Sequence, residues 1–267
     1  MGVIGALRAA IKGLCLVLWT ALGVVLHLAL RLVEWPLYGR DRPFSPYITQ
    51  LVCRGALRII GLKVLRRGTP MREKGAVVAN HTSWLDIFTL NASQRIYFVS
   101  KAEVAKWPGI GFLAKITGTV FIARKGTEAK RQQQLFEDRL RAGHQLLFFP
   151  EGTSTDALRV LPFKSTLFQA FFTSGLDRVL HIQPVTVIYH APEGADQRFY
   201  GWWGNMEFGS NFLRMLALRR HGWVEVILHP SVPVDAFPSR KELSQYCERV
   251  IRTAHPNAAQ ELPRPVE

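Results

Sequence analysis

The segment AVVANHTSWLDIF, residues 76–88, joins a short apolar run to a second apolar run through a polar turn. Its first four residues predict a buried strand, because short runs of small and β-branched apolar residues are typical of strands that are covered on both faces. Thr82 and Ser83 are residue types that often cap the N-terminus of a helix. We therefore predict a helix that begins at Trp84 and carries Asp86 in its first turn. A buried strand followed at once by a helix indicates an α/β fold.

His81 and Asp86 lie on either side of this predicted turn. A straight helix would separate two residues five apart by about 140° net, so a turn is needed to bring the two side chains together. The carboxylate of Asp86 would then hold one ring nitrogen of His81 protonated and leave the other as a base for a hydroxyl group. A histidine and an aspartate at this spacing are common, and a capping turn with a surface histidine is the alternative interpretation.

Beyond residue 70 the sequence alternates short apolar runs with longer helical segments, which is the α/β pattern. The further runs predicted as strands are IYFV (96–99), QLLFF (145–149), VLHIQPVTVI (179–188) and WVEVILH (223–229). The segments predicted as helices are 127–142 and 240–254. We find no internal repeat, so the sequence predicts one catalytic domain over residues 69–255.

Several of these runs are followed by residues that suit a ligand site. The block GTVFIAR ends in Arg124, whose planar guanidinium fits a phosphate or a carboxylate. The block FPEGTS places Glu151, Gly152 and Thr153 after another run, and the glycine allows backbone to approach a ligand. A third candidate strand end, in HIQPVTVIY, contributes Pro184. Ligands bind at the carboxyl edge of α/β sheets, although a solvated arginine and an ordinary turn are the alternative interpretations.

The stretch GLCLVLWTALGVVLHLAL, residues 13–30, has no charged residue and is about as long as a helix that crosses a membrane. Charged and aromatic residues follow it in place of a small-residue cleavage site, so we expect a retained anchor. Residues 47–65 have helical spacing with interleaved basic residues, which suits a helix in the membrane interface or a core helix. Spanning and re-entrant arrangements both fit. We assign residues 1–68 to the anchor and interfacial helix, and 256–267 to a flexible tail.

Composition excludes several classes of protein. The 267 residues include 34 Lys and Arg against 20 Asp and Glu, a formal net charge of +14 that attracts polyanions. The basic residues are dispersed and no nucleic-acid reading motif is present, so no nucleic-acid partner is expected. Three separated cysteines and the histidine spacing predict neither a disulfide framework nor a metal site. The sequence also lacks the GxSxG motif of a lipid-cleaving serine hydrolase.

In order, the blocks NHTSWLD, GTVFIAR, FPEGTS and QPVTV resemble those of the 1-acylglycerol-3-phosphate acyltransferase family, within the glycerolipid acyltransferases. The correspondence runs over residues 77–188. It implies a mixed central sheet flanked by helices, with an N-terminal membrane-anchoring helical segment similar to that family's two-helix docking motif. One departure follows the third block, where many members carry FKxG and this chain has FKST at residues 163–166. That difference affects the expected acceptor pocket but not the first block.

The resemblance also implies roles for individual residues. The first block would supply the catalytic pair, with His81 as general base and Asp86 as its partner. Pro184 would lie on the acyl-donor side. The residues expected to bind the acceptor are Arg124, Glu151, Gly152 and Thr153, with Lys101 and Lys164 as lesser candidates for phosphate contact.

The implied activity is transfer of a fatty acyl group to the free sn-2 hydroxyl of 1-acylglycerol 3-phosphate, which gives phosphatidate. The acyl donor, acyl-CoA or acyl-carrier protein, is a co-substrate, and no cofactor is expected. O-acylation of lyso-ornithine lipid by the same mechanism is the alternative, alone or in addition, because the runs YFVSKAEVAKWPGIG and YGWWGNMEFG are similar to sequences from bacteria that make both lipids. We expect an enzyme on the anionic surface of the cytoplasmic (inner) membrane, with its catalytic domain facing the cytoplasm.

Overall fold

A computed structural model gives the backbone and side chains of most of the chain. It describes residues 2–39, 41–122, 128–172 and 175–256, and for 128–133 the backbone alone. The predicted site residue Arg124 and all but the first residue of the predicted C-terminal tail lie outside the described residues.

The described residues form one mixed sheet of eight strands. The strands are β1 (Lys63–Arg67), β2 (Gly75–Ala79), β3 (Tyr97–Lys101), β4 (Val120–Ile122), β5 (Leu146–Phe148), β6 (His181–His190), β7 (Trp223–Leu228) and β8 (Val232–Pro233). Their order is β1-β7-β6-β2-β5-β3-β4, and β8 pairs with the beginning of β6. Strand β6 runs antiparallel to β7 and β8, whereas the other neighbouring pairs are parallel.

Helices cover both faces of the sheet, so the predicted mixed sheet flanked by helices is confirmed. They are α1 (Val3–Tyr38), α2 (Ser45–Ile60), α3 (Asp86–Ser93), α4 (Ile110–Ile116), α5 (Glu128–Arg141), α6 (Phe208–Ala217) and α7 (Arg240–Ala254), with 3-10 helices at Ala102–Lys106, Ser165–Phe172 and Val234–Ala236. On β2, Val77 and Ala79 belong to a buried cluster that includes residues of α2 and α6. Ala76 and Val78 belong to a second cluster, with residues of α5 and α7. Burial on both faces explains why β2 is a continuous apolar run.

The predicted secondary structure is confirmed for the five strand runs and for α5 and α7. The predicted helix over 47–65 is wrong at its C-terminal end. Helix α2 ends at Ile60, where Gly61 has φ +94° and donates its N–H to the carbonyl of Leu57 at 2.9 Å. A left-handed glycine in this position closes a helix, and the chain continues as strand β1 beside β7. The mostly exposed β1 lacks the alternating burial that would have distinguished it from a helix.

Helix α1 packs lengthwise against the rest of the chain. It contains the predicted apolar stretch and extends it to 36 residues. Arg8 donates to the last carbonyl of α6 at 2.6 Å, and Lys12 donates to the last carbonyl of α2 at 2.6 Å. His27 Nε2 lies 2.9 Å from the last carbonyl of α4. Terminal carbonyls of helices attract donors of this kind, so α1 binds the domain through the C-terminal ends of three helices.

Candidate active site

The loop between β2 and α3 brings His81 and Asp86 together. His81 Nδ1 lies 2.7 Å from Asp86 Oδ2, so the contact expected from the predicted turn is present. The imidazole is 20% exposed, whereas the carboxylate is fully buried. Nε2 of His81 has no hydrogen-bond partner among the described residues. Since an ionised carboxylate only accepts hydrogen bonds, Nδ1 carries the proton, and in the neutral form of the ring Nε2 presents the lone pair.

Four donors hold the carboxylate of Asp86. Besides His81, Oδ2 accepts the peptide N–H groups of Thr82 at 2.8 Å and Ser83 at 3.1 Å. Oδ1 accepts the hydroxyl of Tyr189 at 2.8 Å. All of these partners donate, so Asp86 acts as an ionised acceptor whose orientation is fixed.

The turn differs from the prediction in one respect. Helix α3 begins at Asp86 rather than at Trp84, and neither Thr82 nor Ser83 caps it with a side chain. The turn before the helix is instead shaped by the Asp86 carboxylate, which binds the backbone N–H groups of both residues, and by the Ser83 hydroxyl, which accepts the N–H of Leu85 at 3.4 Å. Cap preferences read from sequence do not reveal which backbone N–H groups a nearby carboxylate binds.

Two further contacts fix the position of His81. The ring of Phe149, which follows β5, stacks on the imidazole with centroids 4.0 Å apart and planes 10° apart. Thr155 donates its N–H at 3.0 Å and its hydroxyl at 3.2 Å to the carbonyl of His81. The loops after β2 and β5 are therefore joined, as expected for neighbouring parallel strands.

Glu151 is buried beside this pair. Its Oε1 accepts the N–H of His81 at 2.6 Å, and its Oε2 accepts the N–H of Leu161 at 2.6 Å. Burial raises the pKa of Glu151 to about 8, against the opposing effect of these two N–H groups. Both oxygens are directed at backbone, so Glu151 positions His81, and its contact with the acceptor stays a prediction.

A positively charged side chain, that of Lys164, lies against the third block. Gly152 has φ +76°, and a Cβ built on it would lie 2.7 Å from Lys164 Nζ. The backbone N–H of Lys164 donates to the carbonyl of Pro150 at 3.0 Å, which ties the two loop segments together. Lys164 and Thr153 are exposed. The structure therefore places Lys164 over the residue that follows Glu151.

Strands β3 and β4 run parallel to β5, so they end at the same edge of the sheet as the catalytic pair. Lys101 is the exposed last residue of β3. The chain leaves β4 at this edge two residues before Arg124, which lies outside the described residues. The acceptor-binding roles of both side chains stay predictions.

The prediction that Pro184 marks a strand end is wrong. Pro184 is buried inside β6, where it pairs with Val78 of β2. On the other side of β6, pairing with β8 stops at Ile182 and pairing with β7 begins at Val185. Pro184 falls in this gap, where a residue without an N–H is accommodated in a sheet. Strand β6 ends at His190, and a role for Pro184 on the acyl-donor side stays a prediction.

Tyr189, Phe149 and Asn80 belong to the site although no motif assigns them a role. Asn80 accepts from the N–H of Val187 at 2.8 Å and donates to its carbonyl at 2.9 Å, which continues the pairing of β2 with β6. All three lie within two residues of the carboxyl end of a predicted strand run. That position was the available signal, because the ends of adjacent strands converge on the same edge.

The arrangement suits proton abstraction from a hydroxyl group. It combines an imidazole whose Nε2 is open, a buried carboxylate partner and a lysine that lies against Gly152 of the third block. Within the described ranges, no three His, Cys, Asp or Glu side chains are grouped to hold a metal ion.

Known proteins resemble this chain along most of its length. A family model described as Acyltransferase matches residues 57–188. A lyso-ornithine lipid O-acyltransferase from Rhodobacter capsulatus is 59% identical over 92% of this chain and 89% of its own. A lyso-ornithine lipid O-acyltransferase from Brucella abortus is 33% identical over 80% of this chain and 82% of its own. A 1-acyl-sn-glycerol-3-phosphate acyltransferase from Neisseria gonorrhoeae is 38% identical, over 46% of this chain and 49% of its own.

The fold also has a solved counterpart. The crystal structure of the 1-acyl-sn-glycerophosphate (LPA) acyltransferase PlsC from Thermotoga maritima superposes with a TM-score of 0.62. The match covers 96% of this chain and 100% of that one, at 21% sequence identity. At this identity the likeness concerns the fold.

Proposed function

Because this chain belongs to the glycerolipid acyltransferase family and is an acyltransferase that acts on lysolipids, we propose that its acceptor is lyso-ornithine lipid and its product ornithine lipid. The observation that supports this acceptor is the 59% identity to the Rhodobacter capsulatus lyso-ornithine lipid O-acyltransferase over 92% of the chain. The Brucella abortus enzyme of the same description also matches over 80% of the chain. The similarity therefore extends beyond the four catalytic blocks.

The reaction would join the free hydroxyl on the 3-hydroxy fatty acyl chain of the lysolipid to an activated fatty acid. The hydroxyl oxygen attacks the thioester carbonyl carbon of acyl-CoA or acyl-carrier protein, and the carbon–sulfur bond breaks. Nε2 of His81 accepts the hydroxyl proton and returns it to the departing thiolate. The products are an ester and a free thiol, and no covalent enzyme intermediate is needed.

The contacts of the site support His81 as the base in this reaction. Asp86 holds Nδ1 protonated at 2.7 Å, and the imidazolium that forms during transfer would face that buried carboxylate. Phe149 stacks on the imidazole ring, and Glu151 accepts the backbone N–H of His81. Together these contacts fix the direction in which Nε2 points. Little reorganisation would therefore be required when the hydroxyl arrives.

Positive charge at the catalytic edge suits the headgroup of the acceptor. Lyso-ornithine lipid presents a carboxylate and an amine, and lysine or arginine can pair with the carboxylate. Lys164 lies over Gly152 of the third block, and Lys101 ends β3 at the same edge. Arg124 is chemically suited to the same anion.

The oxyanion of the tetrahedral intermediate also requires hydrogen-bond donors. The N–H groups of His81, Thr82 and Ser83 already bond to carboxylates, so they are unsuited to that role. Of the two blocks that meet at the site, we therefore favour the third, FPEGTS, as the source of oxyanion donors.

Lysophosphatidate is the second candidate acceptor. The Neisseria gonorrhoeae 1-acyl-sn-glycerol-3-phosphate acyltransferase supports it with 38% identity, but only over 46% of this chain. Both acceptors present an anion beside a free hydroxyl, so one base and one cationic edge would serve either. The wider match to the lyso-ornithine enzymes is the reason for preferring the first candidate.

An acyl-transfer assay with the purified full chain tests the acceptor. Lyso-ornithine lipid and lysophosphatidate would be presented in the same detergent micelles, each with acyl-CoA and with acyl-carrier protein as donor. We expect a kcat/KM at least about tenfold higher for lyso-ornithine lipid, equivalent to more than about 1.4 kcal/mol of discrimination. A preference for lysophosphatidate with either donor would overturn the proposed acceptor.

We also propose that α1 lies in the interface of one leaflet of the cytoplasmic membrane rather than crossing it, with the catalytic edge on the cytoplasmic side. Among the described helices, α1 is long and apolar enough to span a bilayer. However, Lys12 and His27, about 22 Å apart along the helix, both bond to the domain. A spanning α1 would draw the ends of α2 and α4 into the hydrocarbon layer. Its outward side is apolar, with Leu14, Val17, Leu18, Leu22 and Val25 exposed, which suits lipid contact.

The native Cys15 provides a test of this topology. It is exposed on α1, whereas the other two cysteines, Cys53 and Cys247, are buried. In sealed inside-out membrane vesicles, an interfacial α1 should react at Cys15 with a membrane-impermeant maleimide added on the cytoplasmic side. A Cys15→Ser variant is the control for background labelling. Labelling only from the periplasmic side would contradict the proposal.

A further inference from the structure

Among the described residues, Tyr189 is the one whose side-chain hydroxyl contacts Oδ1 of Asp86. Its Oη lies 2.8 Å from Asp86 Oδ1, and Thr89 Oγ1 lies 3.4 Å from the same hydroxyl. The phenol is buried next to the end of β6, with its ring 5.4 Å from that of Tyr200. Nothing in the general-base mechanism described above uses this residue.

The two oxygens of Asp86 have separate sets of partners. Oδ2 accepts hydrogen bonds from His81 and from the peptide N–H groups of Thr82 and Ser83. Oδ1 accepts the hydroxyl of Tyr189. A donor on Oδ1 draws negative charge away from Oδ2, because both oxygens share one delocalised charge. The strength with which Asp86 holds the proton of His81 therefore depends on the hydroxyl of Tyr189.

We propose that Tyr189 is a positioning residue that orients Asp86 and limits the basicity of His81 through it, so that the catalytic unit comprises three residues rather than two. This proposal rests on the role of His81 as general base. Tyr189 transfers no proton, and it acts only as a donor to Oδ1. Burial and the adjacent Asp86 charge raise the pKa of Tyr189 well above that of a free phenol, so the hydroxyl remains protonated while the enzyme works.

Other titratable groups around Tyr189 and the catalytic pair must be considered in any pH test. Glu151 faces His81 from the loop after β5, and Tyr200 faces Tyr189 from the segment before α6. The positive charge of Arg252, in α7, lowers the pKa of Glu151, and His221 forms a hydrogen bond with Tyr200. None of these groups bonds to Asp86 Oδ1, and substitution of Tyr189 leaves each of them in place.

The test compares Tyr189→Phe with Tyr200→Phe. Tyr200 is a matched control, because it is also a buried phenol, and its hydroxyl contacts His221 at 3.1 Å and the N–H of Gly222 at 3.0 Å instead of Asp86. Tyr189→Phe should lower kcat by about tenfold or more, as expected for a lost hydrogen bond to a charged group. It should also move the acidic limb of the kcat/KM profile to higher pH by about half a unit or more, because Asp86 then holds the His81 proton more tightly.

Replacement of Tyr189 by 3-fluorotyrosine provides a second test, in which the packing of the ring is preserved and only the acidity of the hydroxyl changes. A more acidic phenol donates a stronger hydrogen bond, so the acidic limb should move to lower pH, opposite to the phenylalanine variant. Tyr200→Phe should leave that limb in place even if it lowers the unfolding temperature. If Tyr189 had a purely structural role, Tyr189→Phe would lower the stability as Tyr200→Phe does. Neither Tyr189→Phe nor the 3-fluorotyrosine protein would then move the acidic limb of the pH profile.

The His81→Ala variant distinguishes failure of the proposed role of Tyr189 from failure of the general-base mechanism on which that role rests. If His81→Ala transfers acyl groups normally, the general-base role fails and the proposal fails with it. If His81→Ala is inactive while the profiles of Tyr189→Phe and of the fluorotyrosine protein superimpose on that of the wild type, only the role of Tyr189 is overturned.

Discussion

Glu151 holds His81 by its backbone, with Oε1 2.6 Å from the peptide nitrogen, whereas Asp86 holds the same residue by its ring. The two carboxylates therefore have different tasks. Asp86 sets the tautomer of the imidazole. Glu151, in the third block, binds the first block through the N–H of His81 and the segment after the third block through the N–H of Leu161. An acidic residue in the third block is thus needed for the geometry of the site whether or not it touches the acceptor.

The protonation of Glu151 should make stability depend on pH. Burial raises its pKa from 4.5 to about 8, so between these values the folded chain binds a proton that the unfolded chain releases. The resulting stabilisation is fully present below pH 4.5 and is lost as the pH rises to about 8. Glu151→Gln cannot titrate, and its free energy of unfolding should fall less over this range, with a difference of the order of 4 kcal/mol. Urea unfolding in detergent between about pH 5 and pH 9 checks this, and parallel pH dependences for the two proteins would contradict it.

His81→Ala and Asp86→Asn should each abolish most of the activity. Loss of a general base typically costs ~10²–10⁴-fold in turnover, and we expect a loss in that range for His81→Ala. Asp86→Asn places an amide NH₂ group against N–H or O–H donors, so it should also lower the free energy of unfolding by about 1–3 kcal/mol. The exposed Asp196→Asn serves as a control substitution of the same type.

The combination of the two variants provides a further check. His81 and Asp86 act as one unit, so the double variant should be about as inactive as the worse single variant. Initial rates at saturating acceptor measure this. If the fold-losses of the two single variants multiplied in the double variant, the two residues would contribute independently. That result would contradict a catalytic role for their contact at 2.7 Å.

The local pattern was sufficient to predict the strand–turn–helix unit around His81 and the five apolar strand runs. These features depend on neighbouring residues, since a run buried on both faces and a polar turn are both visible within a short window. The exact start of α3 was not visible, because it depends on which backbone groups the Asp86 carboxylate binds. The strand β1 was missed for a similar reason, as its pairing partner β7 lies far along the chain.

The remaining parts of the site depend on long-range contacts. Tyr189 and Asp86 are 103 positions apart, and His81 and Glu151 are 70 positions apart. A single sequence contains no signal for such pairs beyond their position near strand ends. The assignment of Pro184 to a strand end failed because the gap between β7 and β8 is a property of the assembled sheet.

Lys12→Met should destabilise the catalytic domain even though Lys12 lies in the N-terminal helix. Lys12 Nζ donates to the last carbonyl of α2 at 2.6 Å and to Leu218, just beyond α6, at 3.0 Å. Methionine leaves both carbonyls without this donor, so the free energy of unfolding should fall by about 1–3 kcal/mol. Binding to vesicles should not weaken, because methionine is apolar.

Urea unfolding and vesicle flotation of the same samples check this prediction. Leu18→Met, on the exposed side of α1, is the control and should change neither measurement appreciably. If α1 were a separate spanning segment, Lys12→Met would leave the unfolding of the domain unchanged, and the docked arrangement would have to be abandoned.

Gly152→Ala should weaken acceptor binding more than it slows the chemical step. The new Cβ would lie 2.7 Å from Lys164 Nζ, so the ammonium group, at the end of a flexible side chain, must move away from the third block. If Lys164 pairs with the acceptor anion, KM for the acceptor should rise by about tenfold while kcat changes less. Gly194→Ala controls for backbone strain, since Gly194 has φ +75° against +76° for Gly152 and nothing within 4 Å of its Cβ position. The decisive comparison is made in a Lys164→Ala background, where Gly152→Ala should no longer affect KM; an unchanged effect there would show that strain, and not displacement of the lysine, is responsible.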